Sequence, residues 1–250
     1  MSKTAFILAA GFGTRLKPWT DYYPKPLMTI HNKPVIAWHI DNLLNQGITH
    51  IIINAHHLKY KLVSIASYYF YNHPKAQNAR LTVIEEDDIL GTGGALFNVK
   101  ELIEEDNFFL INSDIIFKQD LKQLYQFHLN KNNLATMLLR ETDNKQLKQV
   151  AINKQKEVIS IGKEIFKSGE ALNTLCFTGI HIISKSVFKY LNGKKFQCII
   201  RDIYKRAAAH GESIGAFITD QYWLDMGSIG GFKAAQQWWL NENGSFTASL

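Results

Sequence analysis

The chain has 250 residues, of which 46% are hydrophobic and 20% are charged. This composition is typical of a globular chain that buries a core, and the length suits one large α/β domain. The formal net charge is +6, which suits a protein that handles phosphates and is also common in nucleic-acid binders. The densest basic group (Lys185, Lys189, Lys194 and Lys195) is typical of a solvated turn. We therefore expect no nucleic-acid partner.

The only two cysteines, Cys176 and Cys198, lack the spacing of metal ligands. They predict free thiols in a reducing compartment. The apolar run that follows Met1 is short and is stopped by glycine. It predicts neither a signal peptide nor a membrane span. We expect a cytoplasmic protein with no membrane partner.

Strands and helices alternate in the first half of the chain. Pro34 and Gly47 are start and stop signals for the first long helix. Short apolar runs predict strands over Ala5–Ala9, His50–Asn54, Leu81–Glu85 and Phe108–Asn112. Helical spacing predicts helices over Pro34–Gln46, Leu58–Tyr71, Gly94–Glu105 and Leu121–Asn130. This alternation indicates βαβ units around a largely parallel sheet that is covered on both faces.

The second half has closely spaced strand signals, which indicate antiparallel additions to the sheet. Strands are predicted over Leu134–Arg140, Val150–Asn153, Glu157–Ile161 and Leu175–Ile183, and helices over Ile199–His210 and Ser228–Leu240. No linker rich in Pro, Ser or Gly separates the two halves. We predict a single α/β domain over residues 1–250, with a mixed, mainly parallel central sheet flanked by helices.

A glycine-rich segment, Gly11-Phe12-Gly13-Thr14-Arg15, follows the first predicted strand. A strand that leads into a glycine turn and a helix start places backbone N–H groups where a phosphate can bind. Arg15 adds a charged donor for phosphate oxygens. Leu16 replaces the third glycine of the dinucleotide fingerprint, and the Gly-Lys-Ser/Thr of a Walker loop is absent.

Two further charged residues occupy special positions. Lys25 lies between Pro24 and Pro26, which restrict the backbone and so limit how the lysine is presented. The fourth predicted strand ends in Asn112-Ser113-Asp114, and ligands gather at the carboxyl ends of strands in open α/β sheets. The carboxylate of Asp114 can bind Mg²⁺. An aspartate that only caps the following turn is the alternative.

The stretch LAAGFGTRLKPWTDYYPKPLMTI resembles the signature of the sugar-1-phosphate nucleotidyltransferases, G-x-G-T-R-L followed by P-K-P. The resemblance extends from about residue 4 to about residue 237, and is strongest to the short bacterial enzymes that act on N-acetylmuramate 1-phosphate or mannose 1-phosphate. It implies a Rossmann-like nucleotidyltransferase fold. A nucleotide-binding half would cover about 1–130, and a sugar-binding half about 131–250.

The resemblance also implies roles for individual residues. Arg15 and Lys25 would be catalytic, and Asp114 and Asp225 would hold Mg²⁺. The nucleotide would contact Ala10, Gly11, Gly13, Thr14, Gly91, Thr92 and Gly93, and the sugar phosphate would contact Asn112, Thr178, Gly179 and Trp223. Structural roles remain as alternatives: a glycine-rich helix start at 91–94, a glycine required by the sheet at Gly179, and a core aromatic at Trp223.

The chain departs from the larger members of this family at Gly162, where they carry a Glu that contacts the sugar hydroxyls. The identity of the sugar therefore stays open. Lys163 could reach a phosphate or be a surface lysine. His56 and His57 lack a third metal ligand, and we interpret them as loop residues.

The expected reaction is Mg²⁺-dependent transfer of a nucleoside monophosphate from a nucleoside triphosphate to a sugar 1-phosphate, with release of pyrophosphate. It would supply or recycle precursors of a cell wall or surface polysaccharide. The base, the sugar and the choice between monomer and homo-oligomer stay open. The alternatives are a cytidylyltransferase acting on a phosphate such as phosphocholine, and a paralogue that binds nucleotide-sugar without turnover. A glycosyltransferase is disfavoured, because Asn112 stands where an Asp-x-Asp motif would begin.

Overall fold

The computed structural model describes residues 3–243. The strands within them are β1 (Thr4–Leu8), β2 (Thr29–Ile30), β3 (Lys33–Pro34), β4 (His50–Ala55), β5 (Arg80–Glu85), β6 (Asn107–Asn112), β7 (Ile115–Phe117), β8 (Ala135–Arg140), β9 (Gln149–Ile152), β10 (Val158–Ile161), β11 (Glu164–Ile165), β12 (Asn173–Ser184), β13 (Ile214–Ile218) and β14 (Trp223–Asp225).

The α-helices are α1 (Trp19–Tyr22), α2 (Val35–Asn45), α3 (Lys59–Tyr71), α4 (Gly91–Val99), α5 (Leu121–Lys131), α6 (Lys205–Ala209) and α7 (Ile229–Asn243). Short 3₁₀ helices cover Thr14–Leu16, Lys25–Leu27, Pro74–Asn78, Lys100–Leu102 and Lys185–Tyr190, and a π-helix covers Ile199–Tyr204. No helix within 3–243 is both long and apolar enough to span a lipid bilayer.

Ten strands form one central sheet, in which β11, β10, β9, β12, β6, β1, β4 and β5 are successive neighbours. The pairs β6–β1, β1–β4 and β4–β5 are parallel, and Phe6 of β1 lies opposite Ile52 and Leu110. β12 is antiparallel to β6, β9 and β8, and β13 joins β8 in parallel. The predicted fold class, a mixed and mainly parallel sheet flanked by helices, is confirmed.

The core lies on both faces of this sheet. Successive residues of β1 point to opposite faces, so Phe6 packs into one cluster and Ile7 into the other. Both are fully buried, and each such side chain contributes about 1.5–3 kcal/mol of transfer free energy. Continuous burial of this kind explains why the parallel strands appear in the sequence as unbroken apolar runs.

A third, smaller cluster lies between the two-stranded sheet β7–β14 and helix α7. It contains Ile30, Val35, Ile116, Met226 and Ala235. The sheet pairs Asp225 with Ile115 in antiparallel register. This packing anchors β7, which follows the predicted metal ligand Asp114, and β14, which ends at the predicted metal ligand Asp225.

Two predicted helices differ from the structure, and one strand of the central sheet was not predicted. The helix expected over Gly94–Glu105 begins at Gly91 and its α-helical part ends at Val99, because the glycines belong to its first turn. The helix expected over Ile199–His210 begins as a π-helix. The strand Ile214–Ile218 was missed, since its glycine and alanine interrupt the apolar run.

Candidate active site

A cavity of about 240 Å³ lies at the carboxyl ends of β1, β4 and β6. The side chain of Asn54, at the end of β4, accepts a hydrogen bond from the backbone N–H of Ala9 (2.7 Å). The N–H of Ser113 donates to the carbonyl oxygen of Leu8 (3.2 Å). These bonds hold the three strand ends together. The cavity is lined by Leu8, Ala9, Ala10, Gly11, Gly13, Lys25, Pro26, Asn54, Glu86, Ile89, Leu90, Gly91, Thr92, Asn112, Ser113 and Asp114.

The glycine-rich segment packs directly against the segment that contains Lys25. Gly13 has a φ of 65°, and a Cβ atom on it would lie 2.9 Å from Thr20 Cγ2 and 3.1 Å from Lys25 Cβ. Only glycine combines this backbone conformation with such a close approach. Of the predicted contacts in this segment, Ala10, Gly11 and Gly13 line the cavity, whereas Thr14 is exposed beside it.

Lys25 is the first residue of a short 3₁₀ helix, Lys25–Leu27, that begins directly after Pro24. The N–H of Leu27 donates to the carbonyl oxygen of Pro24 (2.8 Å), and the N–H of Met28 donates to that of Lys25 (3.1 Å). The lysine ammonium forms an ion pair with the carboxylate of Asp114, and both side chains are largely buried. The lysine therefore points into the cavity, as its position between prolines predicts.

Asp114 and Asp225 converge, although they are far apart in the sequence. β7 and β14 place them side by side, and the N–H of Met226 donates to the carbonyl oxygen of Asp114 (2.8 Å). A Cβ atom on Gly227 would lie 2.8 Å from Asp225 Oδ1, 2.9 Å from Asp114 Oδ2 and 2.5 Å from Arg15 Nη2. Two carboxylates and a guanidinium thus surround one glycine.

Burial and the nearby Asp114 carboxylate raise the pKa of Asp225. A hydrogen bond from the N–H of Gly227 (2.5 Å) and the charges of Lys25 and Arg15 act in the opposite direction. The two carboxylates are thus held close together, and a bound cation would reduce the repulsion between them. Within 3–243, no third His, Cys, Asp or Glu joins the pair to form a larger metal cluster.

The Gly91–Gly93 segment forms the first turn of α4. Gly91 and Thr92 line the cavity. The N–H of Gly93 donates instead to the carbonyl oxygen of Gln197 (2.8 Å), and the hydroxyl of Thr92 accepts a hydrogen bond from the N–H of Ile199 (2.9 Å). The structure therefore brings the first two of these residues to the cavity but engages the amide of Gly93 elsewhere.

A second cavity, of about 350 Å³, continues from the first past Asp114. It is lined by Asn112, Thr178, Gly179 and Trp223 among others, and by Arg15 and Asp225. The indole N–H of Trp223 donates to the carbonyl oxygen of Thr178 (2.6 Å), and the Thr178 hydroxyl donates to Leu138 (2.7 Å). These polar groups of Trp223 and Thr178 therefore hold the wall of the cavity.

Gly179 explains how β12 approaches the end of β6. Its φ is 86°, and a Cβ atom on it would lie 2.9 Å from the side-chain nitrogen of Asn112. Two of the predicted sugar contacts thus touch each other, and glycine is required for that contact.

The family model described as "Nucleotidyl transferase" matches residues 4–242. The chain belongs to this family. A relative, the mannose-1-phosphate guanyltransferase of Aspergillus fumigatus, is 28% identical over 225 residues, which cover 89% of this chain and 60% of the relative. This nucleotidyl transferase chain thus spans about three fifths of the length of the curated relatives it matches.

Two solved structures resemble this family member over nearly their whole length. HddC from Yersinia pseudotuberculosis has a TM-score of 0.77 at 25% identity, with 95% of this chain and 99% of that chain covered. A UDP-glucose pyrophosphorylase from Acinetobacter baumanii has a TM-score of 0.80 at 19% identity, with 98% and 95% covered. The second likeness shows the shared fold alone.

Sequence reasoning missed Glu86 in this nucleotidyl transferase. Its side chain is 4% exposed and lines the first cavity. Asn54 donates to Glu86 Oε1 (3.0 Å), and Oε2 accepts no hydrogen bond from residues 3–243. Burial raises the pKa of this carboxyl. In the sequence, Glu86 is one of four successive acidic residues, and nothing there distinguishes the buried one.

His56, His57 and Lys163 lie outside both cavities. His56 Nδ1 bonds the carbonyl oxygen of Glu86 (3.0 Å), and His57 Nε2 bonds that of Thr20 (2.6 Å). The two histidines thus support the loops, which agrees with the sequence interpretation. Lys163 is exposed in the turn between β10 and β11.

Proposed function

We propose that this protein transfers a nucleoside monophosphate from a nucleoside triphosphate to a sugar 1-phosphate and releases pyrophosphate. The observation that carries this proposal is the convergence of Asp114, Asp225 and Arg15 around Gly227, with Lys25 paired to Asp114. Two carboxylates that could hold a cation, beside the side chains of Lys25 and Arg15, suit a reaction in which negative charge moves between phosphates.

The chain's own residues would act by binding and alignment. A phosphate oxygen of the sugar 1-phosphate forms a bond to the α-phosphorus of the triphosphate, and the bond from that phosphorus to the bridging oxygen breaks. The pyrophosphate takes the electron pair. Because the attacking phosphate is already an anion, no protein base is needed. Arg15 would stabilise the leaving pyrophosphate, and Lys25 would hold phosphate oxygens of the substrates.

Asp114 and Asp225 would hold Mg²⁺. Their oxygen ligands fit this ion, which is commonly bound through one or two carboxylates, with substrate phosphates and water completing its shell. When bound, it would neutralise charge on the phosphates. Burial first, and the like charge of Asp114 second, raise the pKa of Asp225. The second contribution supports the assignment, because it shows that the two carboxylates lie close together.

We infer that guanine is the preferred base. A carboxylate oxygen only accepts hydrogen bonds. Glu86 lines the cavity at the carboxyl ends of the strands, and its Oε2 accepts no hydrogen bond from residues 3–243. The N1–H and N2–H₂ edge of guanine offers two adjacent donors, whereas uracil offers one donor between two carbonyl groups. The relatives named mannose-1-phosphate guanyltransferase support the same base, and mannose 1-phosphate is accordingly the first sugar to test.

The domain organisation, the cellular location and the use of the product can also be proposed. One continuous ten-stranded sheet supports a single domain that holds both substrates. A nucleoside-triphosphate substrate and two free cysteines support a cytoplasmic location. An activated sugar nucleotide would supply or recycle cell-wall or surface-polysaccharide precursors.

The test is a pyrophosphate-release assay that combines four nucleoside triphosphates with a panel of sugar 1-phosphates, with and without Mg²⁺. The proposal expects release that requires a sugar 1-phosphate and Mg²⁺ and is fastest with GTP. Release only from CTP with phosphocholine would support the cytidylyltransferase alternative. Binding of nucleotide-sugar without release from any pair would contradict an enzymatic role.

A further inference from the structure

A buried histidine forms part of the floor of the second cavity. His181 lies in β12, opposite Leu110 of β6 and Met137 of β8. It is 2% exposed, yet it lines the same cavity as Asp114 and Asp225. It has no role in the mechanism above.

An irregularity in β12 precedes this histidine. The register between β12 and β8 shifts between Phe177 and His181, and Gly179 lies in this shift with a positive φ. Such bulges commonly turn a side chain toward a site. The ring of Phe177 packs against that of His181 with centroids 4.5 Å apart. The backbone and its neighbour thus fix the ring at the cavity floor.

Tyr204 determines which nitrogen of His181 carries the proton. The Tyr204 hydroxyl lies 3.0 Å from His181 Nδ1, and both side chains are buried. Within 3–243, the hydroxyl has no other hydrogen-bond partner. A buried hydroxyl proton without an acceptor is costly, so Tyr204 donates to Nδ1. The imidazole proton then resides on Nε2.

Nε2 of His181 is directed differently from Nδ1. Within residues 3–243 it has no hydrogen-bond partner. Unlike Nε2 of His39, which is unsatisfied and sealed from solvent, Nε2 of His181 is not sealed. Burial lowers the pKa of His181 to about 3, and burial raises that of Tyr204. At neutral pH the pair is therefore uncharged and presents one N–H to the cavity.

We propose that the Nε2–H of His181 recognises the sugar by donating a hydrogen bond to an acceptor oxygen carried by the sugar ring. His181 is then a specificity-determining residue, and Tyr204 is a positioning residue that fixes its tautomer. The inference rests on the proposed function, since it assumes that a sugar 1-phosphate occupies this cavity.

The first experiment measures KM for sugar 1-phosphate and for nucleotide in His181→Phe and Tyr204→Phe. Loss of one hydrogen bond should raise the KM for the sugar about five- to twentyfold in His181→Phe, with the KM for the nucleotide unchanged. Tyr204→Phe should show a smaller rise, because it removes only the constraint on the tautomer. His210→Phe, at an exposed histidine outside both cavities, is the matched control.

Two measurements on the wild-type protein keep the proposal testable if a variant fails to fold. ¹⁵N NMR of labelled histidine should show His181 neutral with its proton on Nε2 from pH 8 to pH 5. In a series of deoxy sugar 1-phosphates, the analogue that lacks the acceptor oxygen should raise the sugar KM of wild type by the same factor as the His181→Phe substitution does. The same analogue should not raise the KM of His181→Phe further.

A proton on Nδ1, or an unchanged sugar KM in an active His181→Phe, would overturn this inference and leave the transferase proposal intact. If no sugar 1-phosphate were turned over by the wild-type protein, the proposed function itself would fail.

Discussion

The ammonium of Lys25 forms an ion pair with the carboxylate of Asp114, across 89 positions of the chain. The pair joins the proline-flanked segment to the end of the strand that leads into the two-stranded sheet β7–β14. A positive charge is thereby fixed beside the carboxylates that we assign to Mg²⁺. The arrangement is a preorganised one, because the side chains are positioned before any substrate arrives.

Substitution of Lys25 by alanine should reduce kcat on the order of a hundredfold or more, the cost typical of losing one preorganised donor. The secondary structure should remain, since Leu27 and Met28 keep their backbone bonds. Pyrophosphate release and circular dichroism check the two statements. Lys17→Ala, at a lysine that is 58% exposed, serves as the control. Near-normal turnover of Lys25→Ala would remove this residue from the mechanism.

Glu86→Gln should weaken the preference for GTP. An amide presents N–H groups to the donor edge of guanine, so the KM for GTP should rise about tenfold or more, in line with the ~1–3 kcal/mol that a base-edge hydrogen-bond pair discriminates. Competition between GTP and UTP measures the change. Glu85→Gln is the matched control, because Glu85 is exposed and paired with Lys59 outside the cavity. Equal effects of the two substitutions would contradict base recognition by Glu86.

Gly179→Ala should destabilise the protein more than Gly193→Ala does. Both glycines have a positive φ, of 86° and 74°, so both substitutions incur backbone strain on the order of 1 kcal/mol. Only the methyl group at Gly179 would meet the side chain of Asn112, whereas a Cβ on Gly193 meets nothing within 4 Å. Urea unfolding of the two variants isolates the contact. Identical losses would show that the approach of β12 to Asn112 is not tight.

The free energy of unfolding should fall as the pH decreases from about 6.5 toward 4. Burial lowers the pKa of His39 to about 4, of His128 to about 4 and of His181 to about 3. In this window the unfolded chain takes up protons that the folded chain does not, so each histidine can cost about 2 kcal/mol at pH 5.

Urea unfolding at pH 7 and pH 5 measures this loss. His128→Asn should show a smaller difference between the two values than wild type, by about the contribution of one histidine. His210→Asn, at an exposed histidine, should not. A stability that is the same at both pH values in wild type would contradict the neutral buried histidines.

Much of the site could be predicted, because it depends on residues that are close together in the sequence. The glycines after β1 and the prolines around Lys25 impose their own backbone conformations, and Asp114 follows a strongly apolar strand. The convergence of Asp114 with Asp225 needed the resemblance, since no local pattern relates two residues so far apart. The strands that join them, β7 and β14, have three residues each, which is too short for a periodic signal.

Other parts depend on tertiary structure alone. His181 lies in a long apolar run, and its cavity-facing nitrogen follows from a bulge and from Tyr204 on another element. Glu86 is buried beside Asn54 of a neighbouring strand, whose side-chain amide donates a hydrogen bond to it. The engagement of the Gly93 amide by Gln197 is likewise a contact between distant segments. Patterns of hydrophobicity cannot report such contacts.

The central claim is that Asp114 and Asp225 hold one divalent cation together with the triphosphate. The most direct measurement is Mn²⁺ binding, followed by electron paramagnetic resonance in the presence of a non-hydrolysable GTP analogue. Wild type should bind one Mn²⁺ per chain in the ternary complex, and Asp225→Asn should lose most of this binding while Asp220→Asn, at an exposed aspartate, retains it. Equal Mn²⁺ binding by wild type and Asp225→Asn would contradict the account.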